Sequence, residues 1–246
     1  MAELAVIGGT GLYALEGLEV EGREAVGTPY GEPSAALVRG RLAGLELLFL
    51  ARHGENHGIP AHQVNYRANI WALRQAGASR IIAVAAVGAI RPGLIPGQLM
   101  IPDQLIDYTW GRAHTFFEQG PNPAVHVDFT EPYCEELRQS LMRAGERAGL
   151  PMVQGGTYGA TQGPRLETKA EIARLARDGC DMVGMTGMPE AALARELALC
   201  YATCAVVANP AAGLGQGPLR MDDIQATLRA GMKDVHRLLE AVVCIL

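Results

Sequence analysis

The chain has 246 residues, of which 49% are hydrophobic, 19% charged and 5% aromatic, a composition that fills a large aliphatic core and excludes a disordered chain. Lys plus Arg number 21 and Asp plus Glu 26, and the net charge of -5 gives no general attraction to nucleic acid. The longest apolar runs, such as residues 81–87, fall far short of the roughly 20 residues a membrane helix needs, and the N-terminus lacks the basic and apolar blocks of a signal peptide. A soluble cytoplasmic enzyme-sized protein is expected.

In chain order, short apolar β-rich runs are expected to form strands at residues 4–7, 35–39, 45–51, 81–86, 99–102, 182–185 and 201–208. Between them, residues 62–75 place Val64, Ala68, Trp71 and Ala72 on one helical face. Residues 132–148, 168–177, 189–197 and 221–242 read as further helices. This is an α/β pattern with no linker and no internal repeat, so one domain spanning 1–246 around one mixed central β-sheet flanked by helices is expected. The five cysteines, Cys134, Cys180, Cys200, Cys204 and Cys244, are odd in number and lack metal-ligand spacing, and they read as core thiols. No metal site is expected.

Three strand ends carry residues suited to an anion. Gly9-Thr10-Gly11-Leu12-Tyr13-Ala14 formally fits a dinucleotide fingerprint. That motif requires a long helix directly after the glycines, and Gly17, Gly22, Gly27, Pro29, Gly31 and Pro33 break any such helix. The loop then reads either as a tight turn or as a cradle of backbone N–H groups supplemented by the Thr10 hydroxyl. Arg52 and His53 end the second strand, where Arg offers a donor fork matched to phosphate and His a hydrogen bond or a charge, the alternative being an exposed charged loop. The small residues around Ala85 and Ala86 allow either close approach of a ligand to the backbone or close packing.

Taken together, IGGTGLY at 7–13, TPYGEPS at 28–34, ARHGENH at 51–57, VNYRANIWAL at 64–73, QGPRLET at 162–168, MVGMTGMPEAALARE at 182–196 and CYATCAVVAN at 200–209 resemble the trimeric purine nucleoside phosphorylase and methylthioadenosine phosphorylase family. The resemblance covers nearly the whole chain and implies the nucleoside phosphorylase fold. It also implies phosphorolysis, in which inorganic phosphate, a co-substrate, attacks the anomeric carbon of a purine nucleoside, with no cofactor or metal. By this resemblance Thr10, Arg52, His53, the backbone of Ala85 and Ala86, and Thr186 would hold phosphate. Met185 would lie against the ribose, with His57 lining the same pocket. Leu166, Asn209, Pro210 and Ala211 would contact the base, with Asn209 stabilising it as it leaves. His126 resembles a residue that reaches a neighbouring subunit's pocket, which implies a homotrimer or a dimer of trimers.

The expected specificity rests on three positions. Asn209 stands where 6-aminopurine enzymes of the family carry aspartate, and an amide both donates to a 6-carbonyl and accepts from N7–H, whereas a carboxylate only accepts. Glu167 suits the N1–H of a 6-oxopurine, although it also sits where a helix start favours an acid. Met221 falls where 6-oxopurine enzymes of the family place a histidine for the ribose 5′-hydroxyl, and its thioether suits a 5′-methylthio group unless it is a core residue. The combination describes S-methyl-5′-thioinosine as substrate. The alternatives are methylthioadenosine or purine nucleosides in general, and from other classes a dinucleotide oxidoreductase or a non-catalytic nucleoside binder.

Overall fold

The computed structural model describes residues 3–118 and 125–246. Eleven strands are joined in one mixed sheet. In chain order the elements are β1 (Leu4–Gly8), β2 (Glu19–Glu24), β3 (Leu37–Leu42), β4 (Leu45–Ala51), a 3-10 turn (Ala61–Gln63), α1 (Tyr66–Gln75), β5 (Arg80–Ala89), β6 (Leu99–Ile101), β7 (Gln104–Asp107), α2 (Glu135–Arg147), β8 (Met152–Gln154), β9 (Thr157–Ala160), α3 (Lys169–Arg177), β10 (Met182–Gly184), α4 (Gly187–Glu196), β11 (Cys200–Pro210) and α5 (Met221–Val243). Every expected strand and helix is present, the strand at 45–51 with its ends as expected and the others with shifted ends. The expected 62–75 helix divides into the 3-10 turn and α1, whose N-cap Asn65 accepts from the Ala68 N–H.

Four strands, β2, β7, β8 and β9, carry no strong apolar signature. All six residues of β2 are exposed, because it is an edge strand paired only with β3. The alternation expected of strands is clear in β1. Leu4 and Val6 join the core beneath α2 and α5, while Ala5 and Ile7 join the core beneath α1 and α4.

The long strand β5 positions the site. Along one edge it pairs with β11 over nearly its whole length. Along the other, parallel β1 accompanies it only to Ala83, and antiparallel β10 meets it at Gly88 and Ala89. Between those two pairings the edge from Val84 to Val87 faces no strand, and a crevice opens there. The register of β11 against β5 also shifts between Val207 and Asn209, a bulge that re-aims the strand end carrying Asn209.

One expectation is overturned. Cys134 and Cys200 are not core thiols but form a disulfide, with Cα atoms 5.1 Å apart and a separation of 66 positions in sequence. The pairing joins the N-cap of α2 to the first residue of β11, a proximity that only the tertiary fold creates. Cys180 and Cys204 are buried free thiols, and Cys244 is exposed. No described helix is long and apolar enough to cross a membrane.

Candidate active site

The turn after β1 is built on glycine. A Cβ at Gly8 would overlap the Leu12 carbonyl, and one at Gly9 would overlap the Val84 carbonyl and come within 2.9 Å of Arg52 Nη1. Glycine therefore lets this loop lie against the open edge of β5. The next element is the strand β2, so the helix a dinucleotide fingerprint needs is absent.

Arg52, just past β4, is 1% exposed. Its Nε and Nη2 donate to the two carboxylate oxygens of Glu190 at 2.7 and 2.8 Å, and Nη1 donates to the Val84 carbonyl at 2.8 Å. Glu190 is fully buried in α4 and also accepts from the Tyr201 hydroxyl at 2.8 Å. Burial by itself would lower the guanidinium pKa, but the Glu190 carboxylate reverses this and leaves it raised. From its residue type alone, Arg52 is expected to offer its donor fork to phosphate. In the structure the side fork is spent on Glu190, and one proton on each terminal nitrogen remains, an end-on fork at the crevice.

His53 is neutral. Burial, then the adjacent Arg52 charge, hold its pKa down at about 4, so it adds no positive charge. Its Nδ1 lies 2.8 Å from the Ile59 carbonyl, which can only accept. The proton is therefore on Nδ1, and Nε2 presents a lone pair. The His57 ring stands 4.7 Å from that of His53, and its own pKa is lowered by burial.

These residues share the wall of a cavity of about 430 Å³. Thr10, Arg52, His53, Ala85, Ala86 and Thr186 line it together with His57, Met185, Leu166, Glu167, Asn209, Ala211 and Met221. The end of β11 is oriented locally: Asn209 Nδ2 donates to the Pro210 carbonyl at 2.6 Å, which fixes the amide and leaves Oδ1 and one N–H available. Glu167 lies outside α3. Thr168 is the N-cap and forms the capping box with Glu171, while Glu167 Oε1 accepts from the Thr161 hydroxyl at 2.7 Å. Met221 is the first residue of α5 and is 56% exposed, so it belongs to the cavity mouth and not to the core.

Two expected residues are not brought to this wall. Pro210 does not line it, and its carbonyl accepts from Asn209. His126 is exposed and lines no part of the cavity. Conversely, Glu190, Tyr201, Thr161 and Arg112 escaped the sequence reading. Only Glu190 carried a signal, as an acid set among Pro189, Ala191 and Ala192 in an otherwise apolar helix start. Among the described residues, no group of three or more His, Cys, Asp or Glu could hold a metal ion.

Over nearly its whole length the chain is similar to known proteins. A probable S-methyl-5′-thioinosine phosphorylase of Pseudomonas syringae pv. tomato is 54% identical over 243 residues, 99% of each chain. A 6-oxopurine nucleoside phosphorylase of Pyrococcus furiosus is 45% identical over 248 residues, covering 99% of this chain and 92% of that one. The solved structure of methylthioadenosine phosphorylase from Schistosoma mansoni in complex with adenine has a TM-score of 0.95 at 33% identity, covering 100% of this chain and 92% of that one. The family model described as the phosphorylase superfamily matches residues 3–243, and with these relatives it establishes that the chain belongs to that superfamily.

Proposed function

We propose that the protein catalyses phosphorolysis of S-methyl-5′-thioinosine to hypoxanthine and 5-methylthioribose 1-phosphate. The observation that carries this reading is the pairing of Asn209 and Glu167 with Met221 around one cavity. Asn209 Oδ1 accepts from N7–H of the departing base, N7 taking a proton from solvent in exchange for the one that the attacking hydrogen phosphate gives up, and its free N–H donates to the 6-carbonyl. The Glu167 carboxylate accepts from N1–H while its Oε1 holds the Thr161 hydroxyl. Adenine would set a lone pair against that carboxylate, and an unpaired buried polar group costs about 1–3 kcal/mol, or roughly tenfold to a hundredfold in selection. The thioether of Met221 meets the methylthio group by dispersion and offers little to a hydroxyl.

At the other end, the end-on fork of Arg52, the Thr10 and Thr186 hydroxyls and the backbone at Ala85 and Ala86 receive phosphate. His53 Nε2 can only accept, so it takes the P–OH hydrogen of the phosphate and turns the unprotonated oxygens toward the sugar. With the sugar between phosphate and base, charge developing on the ribosyl carbon is met by the phosphate, and charge on the base by Asn209. Positioning and preorganised electrostatics thus carry the reaction. No organic cofactor or metal enters the scheme.

The continuous sheet supports reading residues 1–246 as one domain. The proposal includes a homotrimer or dimer of trimers, with exposed His126 reaching a neighbouring subunit's 5′ pocket, and a cytoplasmic location. The Cys134–Cys200 disulfide is the one feature that weighs against that location, since such bonds are rare in the cytosol.

The deciding experiment measures kcat/KM with phosphate for methylthioinosine, methylthioadenosine, inosine and adenosine. Preference for methylthioinosine is expected. Preference for methylthioadenosine would overturn the roles of Asn209 and Glu167, preference for inosine that of Met221, and cleavage without phosphate the reaction itself.

A further inference from the structure

Arg112 is 8% exposed, and every one of its donor nitrogens is engaged. Nε donates to Gln162 Oε1 at 3.2 Å. Nη1 donates to the carbonyls of Met185 and Met188 at 2.8 and 2.6 Å and lies 3.3 Å from the Tyr66 hydroxyl. Nη2 donates to the carbonyls of Thr161 and Gln162 at 3.2 and 2.9 Å. The guanidinium carbon also lies 5.5 Å from the centre of the Tyr66 ring. All of these acceptors are neutral, and among the described residues no carboxylate lies within ion-pair distance of Arg112. A buried cation is costly to keep without a counter-charge, and here it is offset by a full set of backbone dipoles.

Those carbonyls come from two segments that each carry a wall of the cavity. Thr161 and Gln162, just past β9, lead into the loop that carries Leu166 and Glu167, while Met185 directly follows β10 and Met188 lies in the first turn of α4, beyond Thr186. Arg112 does not itself line the cavity. The two segments follow the paired strands β9 and β10, with the Thr161 N–H and hydroxyl donating to the Gly184 carbonyl at 2.8 and 3.2 Å; beyond that pairing they touch again at Gly163, which has φ +61° and where a Cβ would overlap Met185 Sδ.

We propose that Arg112 is a positioning residue for the nucleoside: its planar fork ties the Glu167 loop to the Met185 strand end, and so sets the width of the slot that holds base and sugar. The phosphate anchor has separate supports, because Arg52 is held by Glu190 and the Val84 carbonyl. Lysine keeps the charge but has a single nitrogen with three protons, and it cannot span acceptors on both walls. The proposal rests on the reading of this cavity as a nucleoside phosphorylase site.

The test compares Arg112→Lys with wild type, using whichever nucleoside the wild type turns over best. The expected result is a nucleoside KM raised at least tenfold, phosphate KM raised less than threefold, and a narrowed ratio of 6-oxo to 6-amino nucleoside kcat/KM. Gln162→Leu, which removes the Nε partner on the loop side and leaves the guanidinium in place, should show the same nucleoside-selective defect, and it decides the matter if Arg112→Lys does not fold. Nucleoside and phosphate KM values that change together within a factor of three in the folded variant would overturn the proposal, since a merely stabilising residue affects both alike. A wild type without phosphorolytic activity would instead overturn the functional reading, an outcome visible before any variant is made.

Discussion

The Glu190 carboxylate grips Arg52 through Nε and Nη2 at 2.7 and 2.8 Å, and this bidentate contact decides which edge of the guanidinium faces the cavity. The two side chains lie 138 residues apart and are almost completely buried. Their value is geometric, because a buried pair returns little net stability against its own desolvation.

Removing one partner is another matter, since it strands a buried charge at a cost of about 3–5 kcal/mol. Glu190→Gln, which keeps the shape and loses the charge, should raise phosphate KM by about tenfold with a much smaller change in nucleoside KM. Initial rates at varied phosphate, alongside thermal unfolding, would check this. An unchanged phosphate KM would remove Glu190 from the orientation of Arg52.

His53 makes stability depend on pH in a definite direction. Its pKa is about 4 in the folded chain, chiefly through burial and then through Arg52, against an ordinary 6.5. Between those values the unfolded chain binds a proton that the folded chain does not. Stability therefore rises with pH in that window: the contribution is complete above about 6.5 and is lost as pH falls toward 4. Relative to His53→Asn, the Tm of the wild type should drop between pH 6.5 and 4. A constant difference would show that His53 is not held neutral.

The base pocket should be convertible. Asn209→Asp combined with Glu167→Ser should lower kcat/KM for methylthioinosine by at least tenfold and raise that for methylthioadenosine. Thr161→Val, which frees Glu167 from its hydroxyl partner, should weaken 6-oxo selection by a few-fold and leave phosphate KM unchanged. A double variant that stays strictly 6-oxo-specific would refute the base-pocket assignment.

At the cavity mouth, Met221→His supplies a donor for a ribose 5′-hydroxyl in place of the thioether. The ratio of inosine to methylthioinosine kcat/KM should rise about tenfold. Competition between the two nucleosides in one reaction is the simplest readout.

The disulfide closes a loop of 66 residues, for which chain entropy gives at most about 4 kcal/mol. Cys134→Ser with Cys200→Ser should lower Tm while preserving kcat at 25 °C. A comparable loss of Tm on adding reductant to the wild type would confirm that the bond is the cause.

By itself the sequence determined the alternation of strands and helices, because buried strands such as β1, β4, β5 and β11 are continuous apolar runs and the helices carry one apolar face. It also marked strand ends with Thr10, Arg52, His53 and Asn209, and the approach to a helix with Glu167, candidates whose chemistry is local to short motifs. It missed β2, β7, β8 and β9, which are short or exposed and draw their order from pairing partners far along the chain. Only the tertiary structure decided that Cys134 meets Cys200, that Glu190 claims one fork of Arg52, that Ile59 fixes the proton of His53, and that Arg112 reaches carbonyls on two walls. Each of these is a contact between residues whose approach depends on the packing of the intervening chain, and a hydrogen bond leaves no trace in either residue's neighbourhood in sequence.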